Sequence, residues 1–391
     1  MNAGEFEYHL KNQLLPFWDK MEDKENGGFY GYADEHGIPD DKSVKSCILN
    51  SRILWFYSAS YRLLNDRELL RKAGHAFDFL RDRFFDSTYH GVFWSVNADG
   101  TPADTTKHTY NLAFAVYALS EYYLASGDKG SLQLAYDLYH TIEGRCLDKA
   151  GYLEAFGRDY TPASNEKLSE NGVMAHLTMN TILHVMEAYT VLYDADGSEK
   201  VKDSLFEILN IIEAKIYNAR KESCEVFFDM DYHSLISLES YGHNIEASWL
   251  IDRACEVLGD REYRDRMLPV IDGLANGAYN NGLDENTHAL NNECENGITD
   301  TGKIWWVQAE AVTGFYNAYQ LHPEKSYYKE QSALVWQYIQ DHIIDKNTGE
   351  WIELTEADNS IRRGQALVHP WKCPYHNGRM CIEMIRRLGI Q

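Results

Sequence analysis

His243 and Glu246 lie three residues apart in 241-YGHNIEAS-248. On a helix they share a face, where a carboxylate can accept an imidazole N–H and fix its tautomer, the arrangement of an oriented general base. Two other readings fit the pair: a metal site completed by His184 or His376, and a helix-capping His beside a solvated Glu. No HExxH or Cys/His finger spacing accompanies it, which weakens the metal reading. Asn180 and His184 are four apart in 179-MNTILHVMEAY-189 and also face one way. His184 is either a satisfied core histidine or a proton acceptor kept neutral near a helix N-terminus. The run 370-PWKCPYHNGRMCIE-383 adds Trp371 and His376 around two prolines before the last helical segment. Arg52 opens the apolar stretch 51-SRILWFYS-58, where an unpaired cation is costly, so it needs a carboxylate partner or a substrate oxygen. Trp305 and Trp306, like Trp371, are core residues or stacking platforms for sugar rings. The sequence holds no GxGxxG, GxxxxGK[ST] or GxSxG motif, so nucleotide and acyl chemistry lose support. Imidazoles, an orienting carboxylate and tryptophans suit the movement of a proton on and off a carbon beside a carbonyl. Each positioned acid or base in such a step contributes on the order of 10²–10⁴-fold.

Such residues need a scaffold that brings them together from distant points of the chain. Six segments that are apolar nearly all the way round begin at residues 51, 109, 179, 244, 305 and 376. Between them lie six segments with a one-sided apolar stripe, over 5–21, 70–85, 132–146, 201–217, 262–279 and 332–344. The first kind predicts helices buried on both faces, the second outer helices with one wet face. Short aromatic, Gly-punctuated stretches at 27–37, 91–100, 151–160, 225–233 and 349–358 predict β-hairpins or loops gathered at one end. Six helical hairpins that cannot bury their apolar faces alone close most economically as an all-α (α/α)6 barrel, one domain over residues 1–391. An open solenoid gives the same pattern, but no Pro/Ser-rich linker divides the chain. In a barrel the starts of the inner helices line one cavity. The polar residues placed there are Arg52, Lys107, His108, Tyr110, Asn111, Glu170, Asn171, Asn180, His184, His243, Glu246, Trp305, Trp306, Glu310, Trp371 and His376.

Composition narrows the partners. The formal net charge of the 391 residues is −23, a field that repels nucleic acid and anionic lipid. Seven scattered cysteines are too few for a disulfide framework, and the charged start MNAGEFEYHLKNQLLPFW lacks the apolar run of a signal peptide. A cytoplasmic protein with no membrane partner is expected. The 27 tyrosines and 9 tryptophans exceed what a core usually needs and suit sugar faces.

The motifs SRILWFYS, KHTYN, SENG, TMNTILH, SYGHNIEASWL, WWVQAEA and WKCPYHNGRMC closely resemble the cellobiose 2-epimerases of the N-acylglucosamine 2-epimerase superfamily, from Pro16-Phe17-Trp18 to the last helix. The resemblance implies an (α/α)6 barrel and metal- and cofactor-free epimerisation at C2 of the reducing-end glucose of cellobiose or lactose, with slow aldose–ketose isomerisation alongside. It implies that His243 and His376 exchange the C2 proton through a cis-enediolate, with Glu246 orienting His243. His184 would assist ring opening or steady O1 and O5, and Arg52 would hold the enediolate oxygens. Tyr110, Asn180 and Glu310 would bind hydroxyls, with Trp306 and Trp371 stacking on the two rings. Asn244 departs from the expected Asp of GHDIE and flanks the base. A monomer or weak homodimer acting on a disaccharide is the expectation. Three rival readings are a monosaccharide isomerase or epimerase, an inverting glycosidase using carboxylates such as Asp104, Asp229, Glu246 or Glu310, and a non-catalytic sugar-binding protein.

Overall fold

The structure, a computed structural model, describes residues 1–169, 171–362 and 364–389. Glu170, one of the pocket candidates, lies outside the described residues. The helices are α1 (Ala3–His9) and α2 (Leu15–Asp19), joined by a π-helical turn, then α3 (Cys47–Leu64), α4 (Arg67–Phe79), α5 (Thr109–Ser126) and α6 (Lys129–Thr141). They continue as α7 (Met179–Asp196), α8 (Glu199–Ile211), α9 (Tyr241–Leu258), α10 (Arg261–Gly282), α11 (Trp305–Leu321), α12 (Ser326–Tyr338) and α13 (His376–Gly389). Odd-numbered helices from α3 to α13 pack in chain order, and α13 returns to α3. The chain's first helix lies on its last, so the ring closes and the solenoid reading falls. The result is the (α/α)6 barrel.

The two helix types follow from their side chains. Every residue from Cys47 to Ser60 in α3 is buried, as an all-round apolar helix requires. In α8 and the π turn after it, Val201, Leu205, Ile208, Leu209, Ile212 and Ile216 are buried while the charged positions face water. Five outer helices run into a five-residue π turn with a buried apolar residue at each end, such as Leu80 and Phe84. At the far end three inner helices stop on left-handed glycines: Gly127, Gly197 and Gly259 all have φ near +70°. Asp66, Asp128 or Asp260 then caps the next outer helix.

The near end carries the strands. Lys45–Ser46, Lys107–His108, Leu177–Thr178, Leu238–Ser240 and Lys303–Ile304 each lead directly into an inner helix. Each pairs antiparallel with a strand of the loop that follows the next outer helix: Lys45 opposite Val96, Lys107 opposite Phe156, Leu177 opposite Phe228, Leu238 opposite Glu295, Lys303 opposite Thr355. The loops are thereby stitched around the mouth. Residues 27–37, expected as a hairpin or a loop, are a loop with isolated bridges, among them Ala33 with Val368. A hairpin that sequence reading did not give, Glu293–Glu295 with Ile298–Asp300, turns at Asn296-Gly297, both at positive φ. That dipeptide is itself a tight-turn signal, hidden in a polar stretch without aromatic alternation.

Buried ion pairs fix where the inner helices start. Lys45 binds Asp23 at 2.7 Å, Lys107 binds Asp86 at 3.1 Å, Lys303 binds Asp284 at 3.1 Å and Lys372 binds Glu350 at 3.1 Å. Lys107 is therefore a structural residue and not part of the cavity. Before α7 the corresponding carboxyl, Glu154, has no cation among the described residues; it accepts from Thr178 N at 2.8 Å and Thr181 Oγ1 at 2.7 Å. Burial pushes its pKa up from 4.5 to about 8 against these hydrogen bonds. Folding thus holds a proton that the unfolded chain has released, so this contribution to stability is full below about pH 4.5 and is lost as pH rises through about 8. Glu154→Gln, whose amide oxygen still accepts from Thr178 N while its NH2 can donate to Thr181 Oγ1, is expected to raise the thermal midpoint more at pH 9 than at pH 5. Parallel melting profiles for the two proteins across that range would count against the assignment.

Candidate active site

Of the sixteen side chains placed at the inner-helix starts, eleven are candidates for catalysis or sugar binding, and ten of these line one cavity of about 320 Å³: Arg52, Tyr110, Asn180, His184, His243, Glu246, Trp305, Trp306, Trp371 and His376. That size is ordinary for a small-molecule site. Trp306 packs against both acid/base candidates, with ring centroids 4.8 Å from His243 and 5.4 Å from His376. Trp306 and Trp371 are partly exposed in the cavity, whereas Trp305 is 2% exposed and sits edge-on to His376, backed by Lys372. Trp305 thus packs the imidazole and offers no face for stacking.

Glu310 is the eleventh residue and stands behind the wall. It accepts from His376 Nδ1 at 2.7 Å, from Trp249 Nε1 at 2.9 Å and from Arg379 Nη2 at 2.7 Å. The expected hydroxyl-binding role is replaced by that of holding His376 as the Nδ1–H tautomer, which leaves Nε2 for the cavity. Glu246 was assigned to His243, yet its Oε1 is taken by Arg379. The Nδ1 partner of His243 is Ser240 Oγ at 2.8 Å. The third imidazole, His184, bonds Glu187 through Nδ1 at 2.9 Å.

Glu187 and Arg379 escaped the sequence reading, although the signal was there. His184 and Glu187, His243 and Glu246, and His376 and Arg379 all share the spacing i, i+3 on inner helices. The second member of each pair lies one turn deeper in the barrel. There Arg379 reaches Glu187, Glu246 and Glu310 together, and Tyr375 OH donates to Glu187 at 2.6 Å. Burial drives the Glu187 carboxyl up, but Arg379 and the His184 and Tyr375 hydrogen bonds outweigh it and hold the pKa at about 2. At Glu310 burial prevails over Arg379 and raises the pKa. Glu246, Glu310 and His376 bring three metal-capable donor atoms within 4.8 Å of one another. The guanidinium already sits among them as a fixed cation.

Arg52 has no carboxylate partner among the described residues. Its guanidinium lies 4.1 Å from the Phe114 ring centre and 4.6 Å from that of Tyr375, donates to Tyr110 OH at 2.9 Å, and leaves Nε buried and unpaired. A cation held by aromatic faces keeps hydrogen-bonding capacity for an anionic oxygen. Asn180 Oδ1 is likewise buried without a partner. Burial holds the His243 pKa at about 4, against Glu246, and drives that of His376 well below 6.5, so both rings are neutral at pH 7.

Other candidates point elsewhere. His108 bonds Asn165 at 2.9 Å, Asn111 donates to Phe93 O, and Asn171 ties its loop to Glu293 and Glu295. Asn244, the departure beside the base, turns away to Cys224 N and Ser223 Oγ, so it does not act on the His243 ring. Lys167, Asn292, Glu293 and the bonded pair Glu353 and His369 complete the cavity rim and carried no distinguishing spacing in the sequence.

The (α/α)6 barrel thus gathers in one cavity three imidazoles, an arginine without a carboxylate partner among the described residues, and partly exposed tryptophans whose faces suit sugar rings. The comparisons with known proteins identify the family: the profile of the N-acylglucosamine 2-epimerase (GlcNAc 2-epimerase) family matches residues 28–377, and the chain belongs to that family. It is 47% identical over 388 residues to the cellobiose 2-epimerase of Ruminococcus albus, covering 99% of each chain. Among solved structures it is similar to a sugar epimerase from a ruminal bacterium, with a TM-score of 0.97 and 46% identity over 100% of this chain and 99% of that one. The cellobiose 2-epimerase of Bacillus thermoamylovorans B4167 gives a TM-score of 0.94 and 40% identity over 98% and 99%.

Proposed function

We propose that this protein epimerises C2 of the reducing-end glucose of β-1,4-linked disaccharides, converting cellobiose to glucosyl-mannose and lactose to epilactose. The observation that carries the reading is the pair His243 and His376, both neutral, each with Nδ1 occupied and Nε2 free of protein partners among the described residues, and both packed against Trp306. After ring opening, assisted by His184, one imidazole removes the C2 proton and the C–H electron pair becomes the C1=C2 bond of a cis-enediolate. The charge collects on O1, where Arg52 can meet it. The other imidazole, once protonated at Nε2 by exchange with solvent, returns a proton to the opposite face of C2, and the first releases its proton to solvent. In a buried site an imidazolium is costly until the enediolate forms beside it, so the charged pair arises together and Arg52 stabilises it when charge develops. Tyr110 and Asn180 would bind hydroxyls and Trp306 and Trp371 the ring faces. Return of the proton to C1 gives the slow ketose side product.

Arg379 in place of a metal among Glu246, Glu310 and His376 supports metal-free chemistry. We read residues 1–391 as one catalytic unit, a monomer or weak homodimer in the cytoplasm; no helix among the described residues is long and apolar enough to cross a membrane. Incubation of chelator-treated protein with cellobiose in D2O, followed by proton NMR, is expected to give a mannose-type anomeric signal with deuterium at C2. Free glucose in that spectrum would show hydrolysis instead, and an unchanged spectrum would defeat the disaccharide reading.

A further inference from the structure

We propose that Ser240 is the positioning residue of His243 and that its hydroxyl lets this one imidazole present either a lone pair or an N–H to the substrate. The inference rests on the epimerase reading above. Three inner helices are preceded by a hydroxyl residue at the same place: Ser46, Thr178 and Ser240. Ser46 caps its helix by accepting from Leu49 N at 3.2 Å, and Thr178 does so from Thr181 N at 3.1 Å. Ser240 makes no such bond and spends its hydroxyl on the His243 ring at 2.8 Å.

The other two imidazoles of the cavity lean on carboxylates, His184 on Glu187 and His376 on Glu310. An ionised carboxylate only accepts, so it pins Nδ1–H and leaves Nε2 as a lone pair. A hydroxyl both donates and accepts. Ser240 can therefore satisfy Nδ1 in the neutral base, in the other neutral tautomer and in the imidazolium. That freedom suits a residue that must take a proton in one direction of an epimerisation and supply it in the other. Glu246, the carboxylate at the spacing that would pin His243, gives Oε1 to Arg379 and makes no hydrogen bond to the ring, its Oε2 being buried without a partner. The ring is fixed on its other side by Trp306, which comes close because Gly242 has no side chain: a Cβ there would lie 2.7 Å from the indole. The titratable groups acting on the ring are Glu246 of its own helix and His184 of α7, while α11 contributes the uncharged Trp306.

The test compares the full-length protein with Ser240→Ala, Ser240→Thr and Ser240→Asp in epimerisation of cellobiose across pH. Alanine is expected to lower kcat by about 10–100-fold, the usual cost of losing an orienting partner, with KM nearly unchanged. Threonine should restore most of the rate. Aspartate, by pinning Nδ1–H and favouring imidazolium, should move the acidic limb of kcat/KM to higher pH. Wild-type kcat and an unmoved limb in the alanine variant, or equal losses in the alanine and threonine variants, would overturn the proposal. Ring ¹⁵N shifts of His243 give an arm that needs no turnover. They should show a changed tautomer ratio in the alanine variant and little change with threonine, and an identical ratio in all forms would refute Ser240's role even if the protein proved to have another substrate.

Discussion

His376→Ala and His243→Ala are each expected to abolish net epimerisation, lowering kcat by 10²–10⁴-fold or more, while affinity for the disaccharide changes little. The magnitude follows from the division of labour. Inversion at C2 needs a base on one face and an acid on the other, and neither imidazole can reach both. A single substitution therefore blocks inversion and spares half of the chemistry. Each variant should still wash deuterium into C2 of one epimer, the one whose proton faces the surviving imidazole. The two variants should divide the epimers between them: if His376→Ala exchanges cellobiose, His243→Ala exchanges glucosyl-mannose. Loss of exchange with both epimers in both variants would mean that one histidine orients the sugar and does not carry the proton. Net epimerisation above about a tenth of the wild-type rate in either variant would remove the two-base mechanism altogether.

How much of this was legible without coordinates depends on what kind of pattern each feature leaves. The barrel was readable because burial on both faces and burial on one face leave different periodicities, and these alternate six times. Closure was reached by economy and not by any local pattern, since it rests on α13 meeting α3 and α1, contacts between chain ends that no local pattern encodes. The imidazoles and Arg52 could be found because a His or Arg in an apolar helix is costly unless used. Lys107 met the same criterion and misled, because Asp86, 21 residues earlier, satisfies it inside the protein. The carboxylate partners were misassigned for a related reason. Spacing within one helix gave Glu246 to His243, but a buried cation from another helix draws the carboxylate through Oε1 and leaves Oε2 without a hydrogen-bond partner, while His243 turns to Ser240. Local spacing proposes partners, and the global arrangement of charge decides among them.

That arrangement makes Arg379 the residue whose loss should cost most stability. Its two terminal nitrogens hold Glu187, Glu246 and Glu310, and all four side chains are at most 4% exposed. Removing one partner from a buried ion pair costs about 3–5 kcal/mol because the remaining charge is uncompensated, and here three carboxylates lose one cation. Native proteins have only about 5–15 kcal/mol in total. Arg379→Met, which keeps much of the volume, is thus expected to fold marginally or not at all at pH 8. The deficit should shrink as pH falls toward 5, since carboxylates deprived of the cation have raised folded-state pKa values and folding then favours their protonated form. A second substitution, Glu246→Gln, should recover part of the loss by deleting one charge, as read from urea midpoints of the single and double variants. If Arg379→Met unfolds within about 1 kcal/mol of wild type at pH 8, the network is not holding three ionised carboxylates. Arg379 would then matter only through the orientation it gives Glu310, and through Glu310 the tautomer of His376.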